Sequence, residues 1–156
     1  MQKVLIVVDM QNDFIDGALG TPEAAAIVGN VKRKIEEFDG TVLFTRDTHE
    51  KNYLQTQEGR NLPVEHCIRG TEGWQIRKEL EELRKTEAID KVTFGSSELG
   101  GILRDMNEKD GIEEITFIGL CTDVFCKPKL AKVAKYFWRM LHLHFGESCN
   151  GLARPV

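Results

Sequence analysis

Short apolar segments alternate with segments of helical periodicity along most of this chain, and this alternation constrains the fold more than any other feature. The apolar segments that we predict to be strands cover residues 3–9, 41–46, 88–94 and 113–120. The predicted helices between them cover about 22–38, 74–83 and 97–107. Strands that alternate with helices in this way indicate βαβ units, a parallel sheet and right-handed crossovers.

Length and charge narrow the class of protein. A chain of 156 residues is long enough for one domain with a substantial core, so we predict a single domain over 1–156. The formal net charge of -4 argues against nucleic acid and anionic membrane as partners. We find neither a membrane-spanning apolar stretch nor a signal peptide, so we expect a cytoplasmic protein. Its four cysteines lack paired C-x-x-C spacing and are expected to be thiols.

Polar residues follow three of the predicted strands. Asp9 ends the first strand, Asp47 follows the second, and the sequence TDV at 122–124 follows the fourth. In open parallel sheets, ligands bind outside the carboxyl ends of the strands. Asp9 alone could simply cap loop amides, but its neighbours favour a functional role at this edge of the sheet.

Asp47 and His49, with His66 beyond them, form a candidate metal site. One carboxylate and two imidazoles match a catalytic divalent-metal site that leaves positions open for water or substrate. If the second strand continues through His49, the first two side chains point to the same side. His66 must then be brought back by the long segment 48–73, which would have to be ordered. Surface histidines are the plainer alternative, and Glu50 or Glu65 could replace a ligand in another geometry.

Lys91 and Cys126 each allow two interpretations. Lys91 is either an edge-strand lysine whose ammonium reaches solvent or a cation beside a carboxylate and a thiol. Cys126 follows GLCTDVF and could stand at a helix N-terminus, where oriented N–H groups lower the pKa of a thiol and can form an oxyanion hole. Cysteines are more often small buried hydrophobic residues, which is our interpretation of Cys121.

Taken together, the motifs resemble the isochorismatase-like cysteine hydrolases, and especially their nicotinamidase branch. The resemblance rests on VVDMQNDF, TRDTH, LPVEHCIRGTEGW, DKVTFGS and GLCTDV, and it covers about residues 1–124. Several motifs in the same order are far more specific than any one of them. By contrast, no G-x-G-x-x-G follows the first strand, which disfavours a nucleotide-binding or electron-transfer domain.

The resemblance implies a fold, a catalytic set and a metal site. The fold is a three-layer α/β/α structure with a mostly parallel, doubly wound sheet. Asp9 would be the general base and Lys91 would stabilise a cysteine thiolate that attacks a small amide, such as nicotinamide, and forms a thioester. Asp47, His49 and His66 would hold a divalent metal, with zinc as the expected ion. The family also implies a non-proline cis peptide near Leu120 and Cys121, in the oxyanion region, and a homo-oligomer.

Residues 125–156 depart from the family pattern. Phe125 occupies the position of the nucleophile directly after TDV, and Cys126 stands one residue later. A one-residue displacement turns a helical side chain by about 100°. We predict a basic helix over about 129–144 and no further strand, which would leave the sheet incomplete. A reading-frame shift near codon 125 would explain both departures. The sequence thus predicts a cysteine amidohydrolase of impaired activity or, alternatively, an inactive metal- or ligand-binding relic.

Overall fold

The computed structural model of the chain describes residues 1–93, 95–120 and 141–143. The strands are β1 (Gln2–Val8), β2 (Thr41–Asp47), β3 (Ile89–Lys91), β4 (Ile112–Gly119) and β5 (Leu141–Leu143). The α-helices are α1 (Asn12–Ile15), α2 (Pro22–Glu36), α3 (Gln57–Asn61), α4 (Lys78–Glu81) and α5 (Ser97–Asp110), and a 3-10 turn spans Tyr53–Gln55. None of the helices within these ranges has the length and apolar character required to cross a membrane.

The strands form one sheet in the order β3-β2-β1-β4-β5, and every neighbouring pair is parallel. The chain runs outward from β1 through β2 to β3 and then returns to β4 on the other side of β1. The strand order therefore reverses beside β1, and the carboxyl ends of β1 and β4 flank the point where such sheets bind ligands. The predicted parallel sheet is confirmed.

Alternate residues of the central strand enter two separate cores. Val4, Ile6 and Val8 belong to a cluster that includes Leu99 and Leu103 of α5. The intervening residues of β1 belong to a second cluster, to which α2 contributes buried apolar side chains. A strand buried on both faces, with a helix over each, gives the three-layer α/β/α, doubly wound arrangement that the resemblance implied.

Side-chain caps fix where the two long helices begin. Thr21 accepts a hydrogen bond from the Ala24 amide at 3.1 Å, and Pro22 is the first residue of α2, as the sequence predicts. Ser96 caps α5 in the same way. Both helices consequently start at defined points and place their apolar faces on opposite sides of the sheet.

Two predicted elements are shorter in the structure, and two segments contain elements that were not predicted. The helix predicted over 74–83 is confined to Lys78–Glu81, because the residues before it pair with the segment after β1: Arg77 N donates to Met10 O, and Gln11 bridges Ile76. The third strand ends at Lys91. The segments 10–21 and 48–73, in which we predict neither helix nor strand, contain α1 in the first and a 3-10 turn with α3 in the second.

The C-terminal prediction is wrong at residues 141–143. They form β5, which pairs in parallel with Ile115–Phe117 of β4, so the sheet has a further strand and the predicted helix does not extend to 144. Leu and His alternate from Leu141 to His144. This period of two is typical of a strand and was outweighed by the helical periodicity before it. Residues 129–140 lie outside the described part of the chain.

Candidate active site and metal centre

Three buried charged residues meet where β1, β2 and β3 end. Asp9 directly follows β1, and Asp47 and Lys91 are register partners at the ends of β2 and β3. Asp9 and Lys91 are each 3% exposed and Asp47 is 8% exposed. Parallel pairing therefore brings together residues that are up to 82 positions apart. The predicted convergence of Asp9, Asp47 and Lys91 is present in the structure.

Asp9 is held from two sides. Its Oδ1 accepts a hydrogen bond from Thr45 Oγ1 at 2.7 Å, and its Oδ2 lies 2.7 Å from Lys91 Nζ. Burial raises the pKa of Asp9 above the usual value, although Lys91 and Thr45 act in the opposite direction. The backbone of Asp9 is left-handed, with φ at 48°, a conformation that non-glycine residues adopt rarely and often at functional sites. A buried carboxyl with a raised pKa is suited to accept a proton.

Lys91 links this carboxyl to a second one. Its ammonium also lies 3.8 Å from Asp47 Oδ1, and only 2% of the side chain is exposed. The edge-strand alternative, in which the ammonium reaches solvent, is therefore wrong. Lys91 places one buried positive charge between two carboxylates.

Asp47, His49 and His66 form a compact group of potential metal ligands. One ligand atom from each lies within 4.8 Å of the others. Asp47 Oδ2 is 3.1 Å from His49 Nε2 and 3.8 Å from His66 Nε2. Neighbouring ligands of a tetrahedral zinc ion are about 3.4 Å apart, since each is about 2.1 Å from the metal. The two measured separations lie on either side of that value.

The histidine nitrogens are arranged as a cation requires. His66 Nδ1 donates a hydrogen bond to Val64 O at 2.8 Å, so Nε2 is the ring nitrogen that is available to an ion. His49 Nε2 is buried and lies 3.1 Å from Asp47 Oδ2, but among the described residues it makes no contact with the alignment of a hydrogen bond. A buried polar atom without a partner is costly unless something else satisfies it. The three side chains fit a divalent metal.

The electrostatics of Asp47 and His49 are coupled. Burial alone would raise the pKa of Asp47, but the adjacent His49 ring and the charge of Lys91 outweigh it and lower that pKa. For His49, burial works toward a lower pKa and is outweighed by Asp47 and then Glu58, so the pKa is raised. The site thus favours an ionised Asp47 carboxylate beside a positively charged His49 ring, and a metal cation can take the place of the His49 proton.

Main-chain hydrogen bonds bring the segment that carries His66 back to the end of β2. β2 stops at Asp47, so the condition that the strand continues through His49 is not met. Instead His49 forms an isolated parallel bridge with Ile68, in which His49 N donates to Cys67 O at 2.9 Å and Arg69 N donates to His49 O at 2.8 Å. The predicted role of segment 48–73, to bring His66 back to the site, agrees with this geometry.

Two residues near the site were not identified from the sequence. Glu58 of α3 places Oε1 3.9 Å from His49 Nε2, and Gln11 hydrogen-bonds the backbone of Asp47. The carboxylates that we considered as alternative ligands do not enter the site: Glu50 pairs with Arg69 at 2.9 Å, and Glu65 is exposed. The Thr56 cap, which fixes the start of α3, was the available sequence signal.

The predicted nucleophile, Cys126, lies outside the described residues. Phe125, Cys121 and the predicted cis peptide after Leu120 lie outside them as well. The chain that leads to them is described: Leu120 N donates to Val8 O at 3.0 Å, beside Asp9. Gly119 has φ at 117°, and a Cβ there would lie 2.3 Å from Val8 O. Glycine at this position thus permits β4 to end close against the end of β1.

The fold and these residues form a candidate catalytic site at the carboxyl ends of the strands, and comparison with known proteins gives the family. The Isochorismatase domain family matches residues 3–131, which is most of the chain and extends past Val124. The chain belongs to the isochorismatase family. The resemblance noted in the sequence is confirmed, including its nicotinamidase branch.

The relatives include amide-cleaving enzymes. The chain is 27% identical over 139 residues to the nicotinamidase/pyrazinamidase of Mycobacterium tuberculosis, covering 78% of this chain and 73% of that protein. It is 29% identical to the N-carbamoylsarcosine amidase of Thermoplasma acidophilum, with a TM-score of 0.66 over 92% of this chain and 80% of that one. The pyrazinamidase of Pyrococcus horikoshii in complex with zinc shares the fold at 23% identity, with a TM-score of 0.61 over 92% and 99%.

Proposed function

We propose that this protein is a metal-dependent amidohydrolase that releases ammonia from a small amide, with nicotinamide or a close relative as the substrate class. The observation that carries the proposal is the position of Lys91, which lies 2.7 Å from Asp9 and 3.8 Å from Asp47. A proton acceptor, a cation and a metal-ligand cluster are thereby contiguous at the carboxyl ends of the strands. Two amide-cleaving relatives support the reaction class.

The chemistry would proceed through a thioester. Asp9 takes the thiol proton of a cysteine, and Lys91 stabilises the thiolate and the charged tetrahedral intermediate. The sulfur forms a bond to the amide carbon, the C–N bond breaks, and the proton passes from Asp9 to the departing ammonia. Water then cleaves the thioester and returns the thiol and a carboxylic acid. The raised pKa of Asp9 suits this exchange of one proton in both directions.

Asp47, His49 and His66 would hold the metal. Zinc is our proposal because the donor set is one carboxylate and two imidazoles, and because a pyrazinamidase with this fold was solved with zinc. When bound, the ion would supply a Lewis acid that orients a ring nitrogen of the substrate. Burial of the three ligands keeps the site away from bulk water.

Cys126 is the proposed nucleophile, although Phe125 occupies the family position. The test is ammonia release from nicotinamide, pyrazinamide and an N-carbamoyl amino acid by zinc-loaded protein, with Cys126→Ala and the matched variant Cys149→Ala. We expect the first substitution to abolish ammonia release and the second to leave it unchanged. Equal rates in the wild type and in Cys126→Ala would refute the assignment.

A second candidate function is ligand binding without turnover, and Phe125 is the observation that favours it. A misplaced or missing nucleophile removes most of the rate and leaves binding intact. Calorimetric titration of the zinc-loaded protein with nicotinamide separates the two candidates. Saturable binding without ammonia release would establish the relic, whereas zinc-dependent ammonia release would exclude it.

A further inference from the structure

Side chains of the segment immediately after Asp9 contact the two parts of the metal-ligand cluster, which are the main chain at Asp47 and the main chain next to His66. Gln11 is fully buried, at 0% exposure, although an amide side chain is strongly polar. Its Oε1 accepts a hydrogen bond from Asp47 N at 2.7 Å, and its Nε2 donates to Asp47 O at 2.8 Å and to Trp74 O at 2.9 Å. The amide therefore holds the main chain of a proposed metal ligand from both its N–H and its C=O.

The partners of Gln11 permit one orientation of the amide only. Asp47 N is a donor, and the carbonyl oxygens of Asp47 and Trp74 are acceptors. One carbonyl oxygen and one NH2 group match this set, with both amide protons used. A glutamate would set an acceptor against two carbonyl oxygens. A hydrocarbon side chain would leave without this partner two buried backbone groups of Asp47 and the partly buried carbonyl of Trp74.

Two residues further on, Asp13 holds the other part of the cluster. Its Oδ2 accepts a hydrogen bond from Cys67 N at 2.7 Å, and its Oδ1 accepts one from Ala18 N at 3.2 Å. Cys67 directly follows His66 and has φ at 48°, a left-handed conformation that needs support from its surroundings. A charge-assisted hydrogen bond to the Cys67 amide supplies that support.

Asn12, between these two residues, provides the contrast. Its Nδ2 donates to Glu72 O at 2.9 Å, near solvent and away from the ligands. Asn12 thus anchors the same neighbouring segment that Gln11 contacts at Trp74, but it touches neither Asp47 nor Cys67. The side chains of residues 11 and 13 therefore contact the main chain of the metal-ligand cluster, and the side chain of residue 12 does not.

We propose that Gln11 and Asp13 are positioning residues that preform the metal site: Gln11 fixes the main chain of Asp47, and Asp13 fixes the main chain that carries His66. This inference rests on the proposed metal site. It goes further by assigning the geometry of the ligands to two residues that bind no metal themselves. Groups that orient metal ligands commonly affect affinity by about 10- to 100-fold.

The experiment compares Gln11→Met, Asp13→Ala and the control Asn12→Ala. Gln11→Met keeps the length of the side chain and removes its three hydrogen bonds. Zinc affinity is measured by competition with a chelator, ligand geometry by the visible absorption of the Co²⁺-loaded protein, and folding by circular dichroism. We expect the zinc dissociation constant to rise about 10- to 100-fold for the first two variants, with altered Co²⁺ spectra, and to stay unchanged for Asn12→Ala.

Two results would overturn the inference: wild-type affinity and an unchanged Co²⁺ spectrum in Gln11→Met, or equal losses in all three variants, which would indicate general destabilisation. If Gln11→Met does not fold, Gln11→Glu replaces it, because it keeps the acceptor for Asp47 N and loses both donated bonds.

A separate measurement distinguishes failure of the inference from failure of the metal site. Hydrogen exchange at the Asp47 amide is followed in metal-free protein, where it reports local opening alone. Faster exchange at Asp47 in the Gln11 variant supports positioning even if the wild type binds no metal, an outcome that would refute the proposed function. Unchanged exchange at Asp47 would refute positioning even in a protein that binds zinc.

Discussion

Lys91 Nζ and Asp9 Oδ2 lie 2.7 Å apart inside the protein, although 82 positions of sequence separate the two residues. The pair spans the sheet from the end of edge strand β3 to the end of central strand β1, with the end of β2 between them. Because both side chains are buried, each needs the other: a lone buried charge costs several kcal/mol. The relationship therefore serves stability and the proposed chemistry together.

Replacing the cation tests this double role. Lys91→Met should destabilise the protein by about 3 kcal/mol at neutral pH, because Asp9 is left buried without its positively charged partner. Ammonia release should fall by at least about 100-fold, since the charged intermediate loses its counter-charge. Chemical unfolding and the ammonia assay measure the two effects. Lys109→Met, at an exposed site in α5, is the control and should change neither.

The destabilisation caused by Lys91→Met should increase as the pH rises. The pKa of Asp9 is raised by burial in the wild type, and loss of Lys91 raises it further. A carboxyl whose folded pKa exceeds its unfolded value of about 3.9 contributes stability below that value and loses it as the pH rises. The gap between variant and wild type should accordingly widen from pH 4 to pH 7 in chelator-treated protein. A constant gap over this range would mean that Asp9 is not the group left unpaired.

Metal removal should lower thermal stability. Zinc at about 100 times its dissociation constant stabilises the folded state by about 2.7 kcal/mol. For a chain of this size, that corresponds to a shift of roughly 5–10 °C in Tm. We expect a chelator to produce this loss, zinc to reverse it, and His66→Ala to show no response to either. The control His144→Ala should respond as the wild type does; a zinc shift that survives in His66→Ala would place the ion elsewhere.

Gly119→Ala should destabilise the protein by more than about 1 kcal/mol, because the left-handed backbone and the close approach of Val8 O both exclude a Cβ. The matched change Gly29→Ala lies within α2, where a Cβ meets nothing within 4 Å. It should stabilise by about 0.5–1 kcal/mol through helix propensity. Denaturant unfolding of both variants checks the pair, and a neutral Gly119→Ala would contradict the close contact between β1 and β4.

Phe125→Cys should increase activity. It places a thiol directly after TDV, the family position for the nucleophile, whereas Cys126 stands one residue away. A displacement of about 1 Å can cost about 100-fold in rate, so ammonia release should rise by about that factor over the wild type. Phe125→Ser is the control without a thiol and should give no increase. If neither variant gains activity, the relation of residue 125 to Asp9 differs from the family pattern.

The sequence predicted the parts of the site that depend on strand ends. Asp9 and Asp47 could be placed together because apolar runs mark the strands and parallel strands end at one edge. Lys91 was predicted inside a strand and was joined to them only through the resemblance to the family. Gln11 could not be identified, since its importance lies in three backbone groups that only the folded chain brings near. Glu58 was missed for a different reason: α3 has only five residues and is too short to leave a periodic signal. β5 was missed because three residues of alternation stood beside a longer helical pattern.

The proposed catalytic and metal-binding residues all lie at the carboxyl ends of the strands, and none of them lies at the amino ends. The connection from α4 to β3 passes along the amino ends, and residues 85–87 there are exposed. Exposed connections of this kind tolerate added chain. A tag, a fluorescent reporter or new chain termini introduced at Thr86 should leave metal binding intact, which makes this position a practical handle for immobilising or permuting the protein.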